Sequence, residues 1–258
     1  MGIFGKLFEK KVCDVCGGEI GLLGNRKLEN GNLCKNCAAK LSPWFSDRRN
    51  STVEEIKAQL DYREANREKV AAFCTTRTLG ENTKLLLDED AGVFLVTSAR
   101  DLKEATPEVL AFSDVTGCNL DIDENRTELK REIKKADGST EEVSYHPPRY
   151  HYDYNFYITI HVRNPYFDEI RFRLNRSTVE TEPVSQMRYQ PEQNVEYRRY
   201  QQAGEEIRET LLQIRQETRA EAAAAAAPKA AVTCPYCGAT TTPDASGCCE
   251  FCGGAVSG

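Results

Sequence analysis

The 258-residue chain has room for one ordinary domain and some small modules. With 40 acidic against 34 basic residues and a net charge of -6, it lacks the basic surplus that draws a protein to nucleic acid or anionic membrane by bulk attraction. Its 11 cysteines are odd in number and set in close pairs, with no secretory leader in the sequence, which argues for metal ligation in a reducing cytoplasm rather than a secreted disulfide framework. No apolar run reaches the roughly 18 residues of a membrane span.

Residues 1–11 form a short amphipathic segment with Ile3, Phe4, Leu7 and Phe8 on one helical face, expected to pack on the protein itself rather than on a membrane. Met1-Gly2 resembles a myristoylation start, but Lys6 stands where Ser or Thr is needed. Residues 12–50 then carry the strongest signal in the chain. Cys13 and Cys16, an insert, and Cys34 and Cys37 are two close thiolate pairs at the spacing of a tetrahedral zinc site. Gly17 and Gly18 follow the first pair, Asn30-Gly31 is read as a two-residue hairpin turn, and the second pair runs into the helix formers Ala38 to Leu41. Knuckle, hairpin and helix in this order predict a treble-clef zinc finger. Four cysteines leave no open coordination position, so the zinc is structural. Trp44 and Phe45, just past the module, are expected to fold back onto it and supply a core that so short a segment otherwise lacks.

Residues 51–74 are predicted to be a charged helix, opened by a capping box of Thr52 and Glu55 and carrying the thin apolar stripe Val53, Ile56, Leu60, Val70 and Phe73. The residues from Cys13 to Arg49, including Ile20 to Leu28 and Leu41-Ser-Pro-Trp44-Phe-Ser-Asp-Arg48-Arg49, resemble the bacterial domain-of-unknown-function 4428 family. The likeness is dense over about the first 75 residues. It implies a zinc-binding bacterial protein and carries no activity with it.

Residues 75–220 change to strand patterns followed by a helix. Lys84–Leu87 and Val93–Val96 flank a turn at Asp88–Gly92; Val109–Thr116 leads into Cys118–Ile122; Asp137-Gly138 marks a further hairpin. Phe156, Ile158, Ile160 and Val162 alternate with polar residues, as do Ile170, Phe172 and Leu174, which predicts an antiparallel sheet with one wet face. Before both runs, His146 to Tyr154 is expected to be a solvated loop. A helix over about 193–220 closes the domain, and the order of elements resembles bacterial pleckstrin-homology-like barrels. Cys74 and Cys118 are expected to be small buried residues. Residues 221–232 are an Ala-rich run broken by Pro228, a helical extension becoming a linker. Residues 233–258 hold Cys234 and Cys237, then Cys249 and Cys252, each pair followed by glycine, which predicts a small zinc ribbon; Cys248 is left over because only Cys249 keeps the two-residue gap to Cys252. The fold class expected is therefore α+β: a treble clef, a helix, a pleckstrin-like β-barrel with its C-terminal helix, and a tethered ribbon.

Functionally, this pattern favours a non-enzymatic, cytoplasmic zinc-binding adaptor that holds two zinc ions and binds a protein partner. The three histidines, at 146, 151 and 161, stand beside no nucleophile signature, and no glycine-rich phosphate loop is present. Nucleic acid is the first alternative partner. The first fifty residues carry nine basic against five acidic residues, and the 17-residue gap between Cys16 and Cys34 resembles that of GATA-type fingers. The Trp-Arg-Arg element and basic tail of those fingers are absent, so protein contacts are favoured. A membrane surface, reached through residues 1–8 and the barrel, is the second alternative.

Overall fold

The structure, a computed structural model, describes residues 11–181, 184–185, 190–226, 231–243 and 246–256. The amphipathic segment at 1–11 lies outside these but for Lys11, and so does Pro228. The chain divides into two compact units, Met1–Arg215 and Gln216–Gly258.

The first unit begins with two small hairpins, β1 (Lys11–Val12) with β2 (Glu19–Ile20) and β3 (Arg26–Lys27) with β4 (Asn32–Leu33), then the one-turn helix α1 (Lys35–Ala38). The turn between β3 and β4 falls one residue earlier than expected. The Leu28 N–H donates to Gly31 O, which leaves Glu29-Asn30 at the tip. Gly31 has another role: a Cβ there would lie 2.6 Å from the Val53 side chain and 2.8 Å from Asp14 Oδ2, so glycine is what lets the hairpin meet the next helix. Asn30, freed from a turn position that demands a positive φ, caps that helix by accepting from the Val53 N–H at 2.9 Å.

Helix α2 (Val53–Ala72) starts at a true capping box, in which Thr52 Oγ1 accepts from the Glu55 N–H and Glu55 Oε2 accepts from the Thr52 N–H. Its thin stripe is explained by its position. Val53, Ile56 and Leu60 pack on the hairpin module with Leu28, Leu33 and Leu41, whereas Val70 and Phe73 pack on a separate cluster with Leu86, Leu95 and Val109. One helix thus serves two cores, and polar residues occupy the stretch between them. Arg63 reaches Glu108, almost wholly buried, at 3.1 Å and the Thr106 carbonyl at 2.6 Å. Asn66 donates to the Pro107 carbonyl and accepts from the Val109 N–H.

The β-body has two antiparallel sheets. The first takes β5 (Arg77–Leu79), β6 (Lys84–Asp88), β7 (Val93–Thr97) and β8 (Leu110–Ala111) in sequential order, with the short helix α3 (Leu102–Ala105) between β7 and β8. A single 3-10 turn at Phe112–Asp114 leads into β9 (Val115–Lys134), which pairs with β10 (Thr140–Val162) in a long hairpin. The other edge of β10 is shared along its length by β11 (Glu169–Arg173), β12 (Val179–Glu180) and β13 (Val184–Ser185). Phe156, Ile158, Ile160, Ile170 and Phe172 face inward against Leu85, Leu87 and Phe94 of the first sheet, as their alternation demands. Helix α4 (Val195–Ala226) continues through most of the alanine run and covers this core with Tyr197, Tyr200, Ile207 and Leu211.

Three expectations are corrected. The sheets do not close into a barrel: β5 and β8 bound the first sheet, and at its corner the Asn82 amide donates to the Leu174 carbonyl, a side-chain link in place of a strand ladder. The His146–Tyr154 stretch is β-strand, not loop. It lies within β10, and its two prolines are accommodated by a register shift between Ser144 and Arg149, where no ladder N–H is required. Trp44 packs against the β-body core and not on the hairpin module; Phe45 does pack on the module, and its ring also meets Tyr166 of the β-body edge-on at 6.3 Å.

Candidate metal centres

In the first unit Cys13, Cys16, Cys34 and Cys37 bring their Sγ atoms within 4.8 Å of one another. The knuckle is built by backbone geometry. The Gly17 N–H donates to Cys13 O and the Cys13 N–H to Gly18 O, and Gly17 takes φ +72°, a conformation open to glycine at little cost. Asp14 locks the knuckle to β4, accepting from the Asn32 N–H at 2.6 Å while its own N–H donates to Asn32 O. Two backbone donors point at sulfur: the Cys34 N–H at Cys13 Sγ and the Cys37 N–H at Cys34 Sγ, both at 3.3 Å. Cys34 is thereby the N-cap of α1, so the helix start and the ligand are one residue.

The electrostatics show what this cage accepts. Burial pushes the Cys13 thiol up, but the N–H groups of Cys16, Cys34 and Val15 outweigh it and hold Cys13 down at about 6. Cys37 is pushed far upward by burial and by the neighbouring Cys16 and Cys34 sulfurs. Four thiolates cannot crowd together without a cation between them, and the donor set fits a soft tetrahedral ion with no position left over.

In the second unit the arrangement is repeated more symmetrically. Cys234, Cys237, Cys249 and Cys252 converge within the same 4.8 Å limit, with Cys234 opposite Cys252 at 3.6 Å and Cys237 opposite Cys249 at 3.7 Å. Each pair forms the same knuckle: Gly238 N–H to Cys234 O and Gly253 N–H to Cys249 O, with φ +73° and +69°. Burial raises Cys249, yet the Phe251 and Cys252 N–H groups prevail and bring it to about 6; at Cys252 the Gly254 N–H is overridden by the Cys237 and Cys234 sulfurs, which push it to about 12. Cys248 stands outside the cluster, its thiol directed at the Ser246 carbonyl, because its backbone bridges Ala255 and alternation turns its side chain away. Val256, with Val232 partly buried, completes a core otherwise made of Cys234 and Cys249.

A third group of donors escaped sequence reasoning. His151 and Asp153, two apart on β10, share the wet face with Glu180 of β12, and His151 Nε2 lies 2.8 Å from Asp153 Oδ1. The i, i+2 pair is visible in the sequence; Glu180 joins it only through strand pairing. Outside the clusters, Cys118 is buried as expected and pushed up to about 12 by that burial. Cys74 is instead exposed, since its N–H is held by Asp88 at the end of α2 while its side chain projects to solvent.

Residues 11–59, which contain the first cluster, match the family described as a domain of unknown function, DUF4428. No curated protein and no solved structure matches the chain. Among the described residues, no helix is long and apolar enough to cross a membrane.

Proposed function

We propose that the protein is a non-enzymatic adaptor of the bacterial cytoplasm, in which two structural zinc ions, one in each unit, fix small modules for contact with a protein partner. The observation that carries this reading is that both clusters are closed: four sulfurs each fill all four tetrahedral positions, leaving none for water or substrate, and in the first cluster backbone N–H groups are aimed at the thiolates. On this reading the first module is a treble clef and the second a zinc ribbon. The body is pleckstrin-homology-like in the order of its strands and final helix, though open rather than barrel-shaped. Zinc is preferred to iron because nothing in the design calls for a redox metal, and all-thiolate tetrahedra serve both.

A second feature supports a partner-binding role. Beyond the register shift at Ser144, the β9–β10 hairpin is a ribbon of two strands only, from Lys130 and Ser144 out to Lys134 and Thr140, and nearly every residue on it is exposed. A two-stranded ribbon of this kind contributes little to its own stability in water.

Elemental analysis of protein purified without chelator is expected to give two zinc ions per chain; one zinc, or iron, refutes the metal assignment. For the partner, the intact chain is compared in native lysate with a variant in which a two-residue turn replaces residues 131–143. A stoichiometric protein captured by the first and lost from the second supports the adaptor reading. Co-purifying nucleic acid or lipid in its place overturns it.

A further inference from the structure

Beside the first metal cluster, the β3–β4 hairpin and the 3-10 turn at Arg48–Asn50 enclose a cleft of about 780 Å³. Its wall carries four cations, Arg26, Lys27, Arg48 and Arg49, with the amides of Asn25 and Asn50 beside them and Glu29 as the single carboxylate. The two basic pairs are far apart in sequence and are joined by one bond, from Arg48 Nη1 to the Lys27 carbonyl at 2.9 Å. Among the described residues none of the four cations has a carboxylate partner. Acids are not scarce in a chain of net charge -6, and arginines elsewhere find them: Arg63 with Glu108, Arg171 with Asp121, Arg208 with Glu205. Burial, together with Arg26 and Arg49, pulls Arg48 below the usual guanidinium range, the mark of cations gathered without a counter-charge.

We propose that this cleft is a binding site for a phosphate group. Three guanidinium groups line the cleft, with Arg26 and Arg49 near enough to depress Arg48, and their planar forks can grip an oxyanion through paired hydrogen bonds. The cleft has the size of a small-ligand site, about 300–1,000 Å³. Its wall contains no aromatic ring on which a base could stack, and its charge is gathered at one point rather than spread along a stripe, so a compact phosphate fits better than a nucleic-acid strand. Every lining residue lies within the segment 11–59. The phosphate can belong to a soluble phosphorylated compound or to a lipid headgroup; the recognition chemistry is the same.

The zinc-loaded protein is titrated with inorganic phosphate at low ionic strength by calorimetry. Saturable binding with a dissociation constant of about 1 mM or tighter is expected. Arg49→Ala and Arg26→Ala, neither of which removes the Arg48–Lys27 bond, should each weaken it about tenfold with melting temperature and zinc content unchanged. Lys57→Ala, on the exposed side of α2, should leave it as it is. Sedimentation with vesicles of phosphatidic acid in phosphatidylcholine separates the two sources: binding that inorganic phosphate competes away assigns a headgroup, and no sedimentation assigns a soluble ligand. Absence of saturable phosphate binding, an affinity in Arg49→Ala and Arg26→Ala unchanged from that of the intact protein, or duplex DNA or RNA binding that phosphate does not displace would each overturn the proposal.

Discussion

Asn66 is the best single test of how the hairpin module and the β-body are joined. It is 1% exposed, in the middle of α2, and both ends of its carboxamide are engaged: Nδ2 with the Pro107 carbonyl at 2.7 Å and Oδ1 with the Val109 N–H at 3.0 Å. Asn66→Ala leaves a buried carbonyl and a buried N–H without partners, at about 1–3 kcal/mol each. Water entering the vacated space recovers part of this, so a loss of about 3 kcal/mol is expected. For a unit of this size that corresponds to a fall in melting temperature of about 6–12 °C. Gln59, two turns earlier on the same helix, is the matched control. It is equally buried, yet among the described residues neither its Oε1 nor its Nε2 has a partner, so Gln59→Met should stabilise by about 1 kcal/mol. Thermal and urea unfolding of the zinc-loaded proteins, with metal content checked beforehand, reads both changes. A loss below about 1 kcal/mol in Asn66→Ala would show that α2 is not joined to the β-body through these bonds, and a clear destabilisation in Gln59→Met would show that the Gln59 amide is satisfied after all.

Three further outcomes follow from particular side chains. Cys249→Ser should lower the metal content by one ion per chain, while Cys248→Ser leaves it intact, because only Cys249 lies in the cluster; elemental analysis distinguishes them. In the native protein at pH 8, iodoacetamide should label the exposed Cys74 and spare Cys118, whose burial keeps it protonated with its thiol pushed up to about 12; peptide mass spectrometry after a short pulse reads both. Trp44, half-buried against the β-body, should emit between the fully exposed and fully buried limits. Trp44→Ala should cost about 1–2 kcal/mol, less than a full ring deletion, without loss of zinc.

The candidate metal centres were legible almost entirely from sequence, since Cys-x-x-Cys spacing and the glycine after it encode a knuckle within six residues. The capping box at Thr52 and Glu55, the turn at Asp88–Gly92 and the alternation from Phe156 to Val162 were legible for the same reason: each is a local pattern whose period or spacing determines the conformation. Where a local signal admits two readings, tertiary contacts decide between them. Asn30-Gly31 is a good turn pair, but Gly31 answers to the approach of Val53 and Asp14. Two prolines and many aromatics made His146–Tyr154 resemble a loop, and only its pairing with β9 shows a strand with a bulge.

By itself, the sequence determined which cysteine pairs form the candidate metal knuckles, where α2 begins, and which strand faces turn inward, because these depend on neighbours within a few positions. The tertiary structure alone decided that α2 serves two cores, that Asn66 and Glu108 are buried while Cys74 is not, that the sheets stay open, and that Arg26-Lys27 meets Arg48-Arg49 across one cleft. Each of these rests on contacts between residues 14 or more positions apart. Such contacts are selected by competition for packing space and hydrogen-bond partners over the whole chain, and no local pattern records the result.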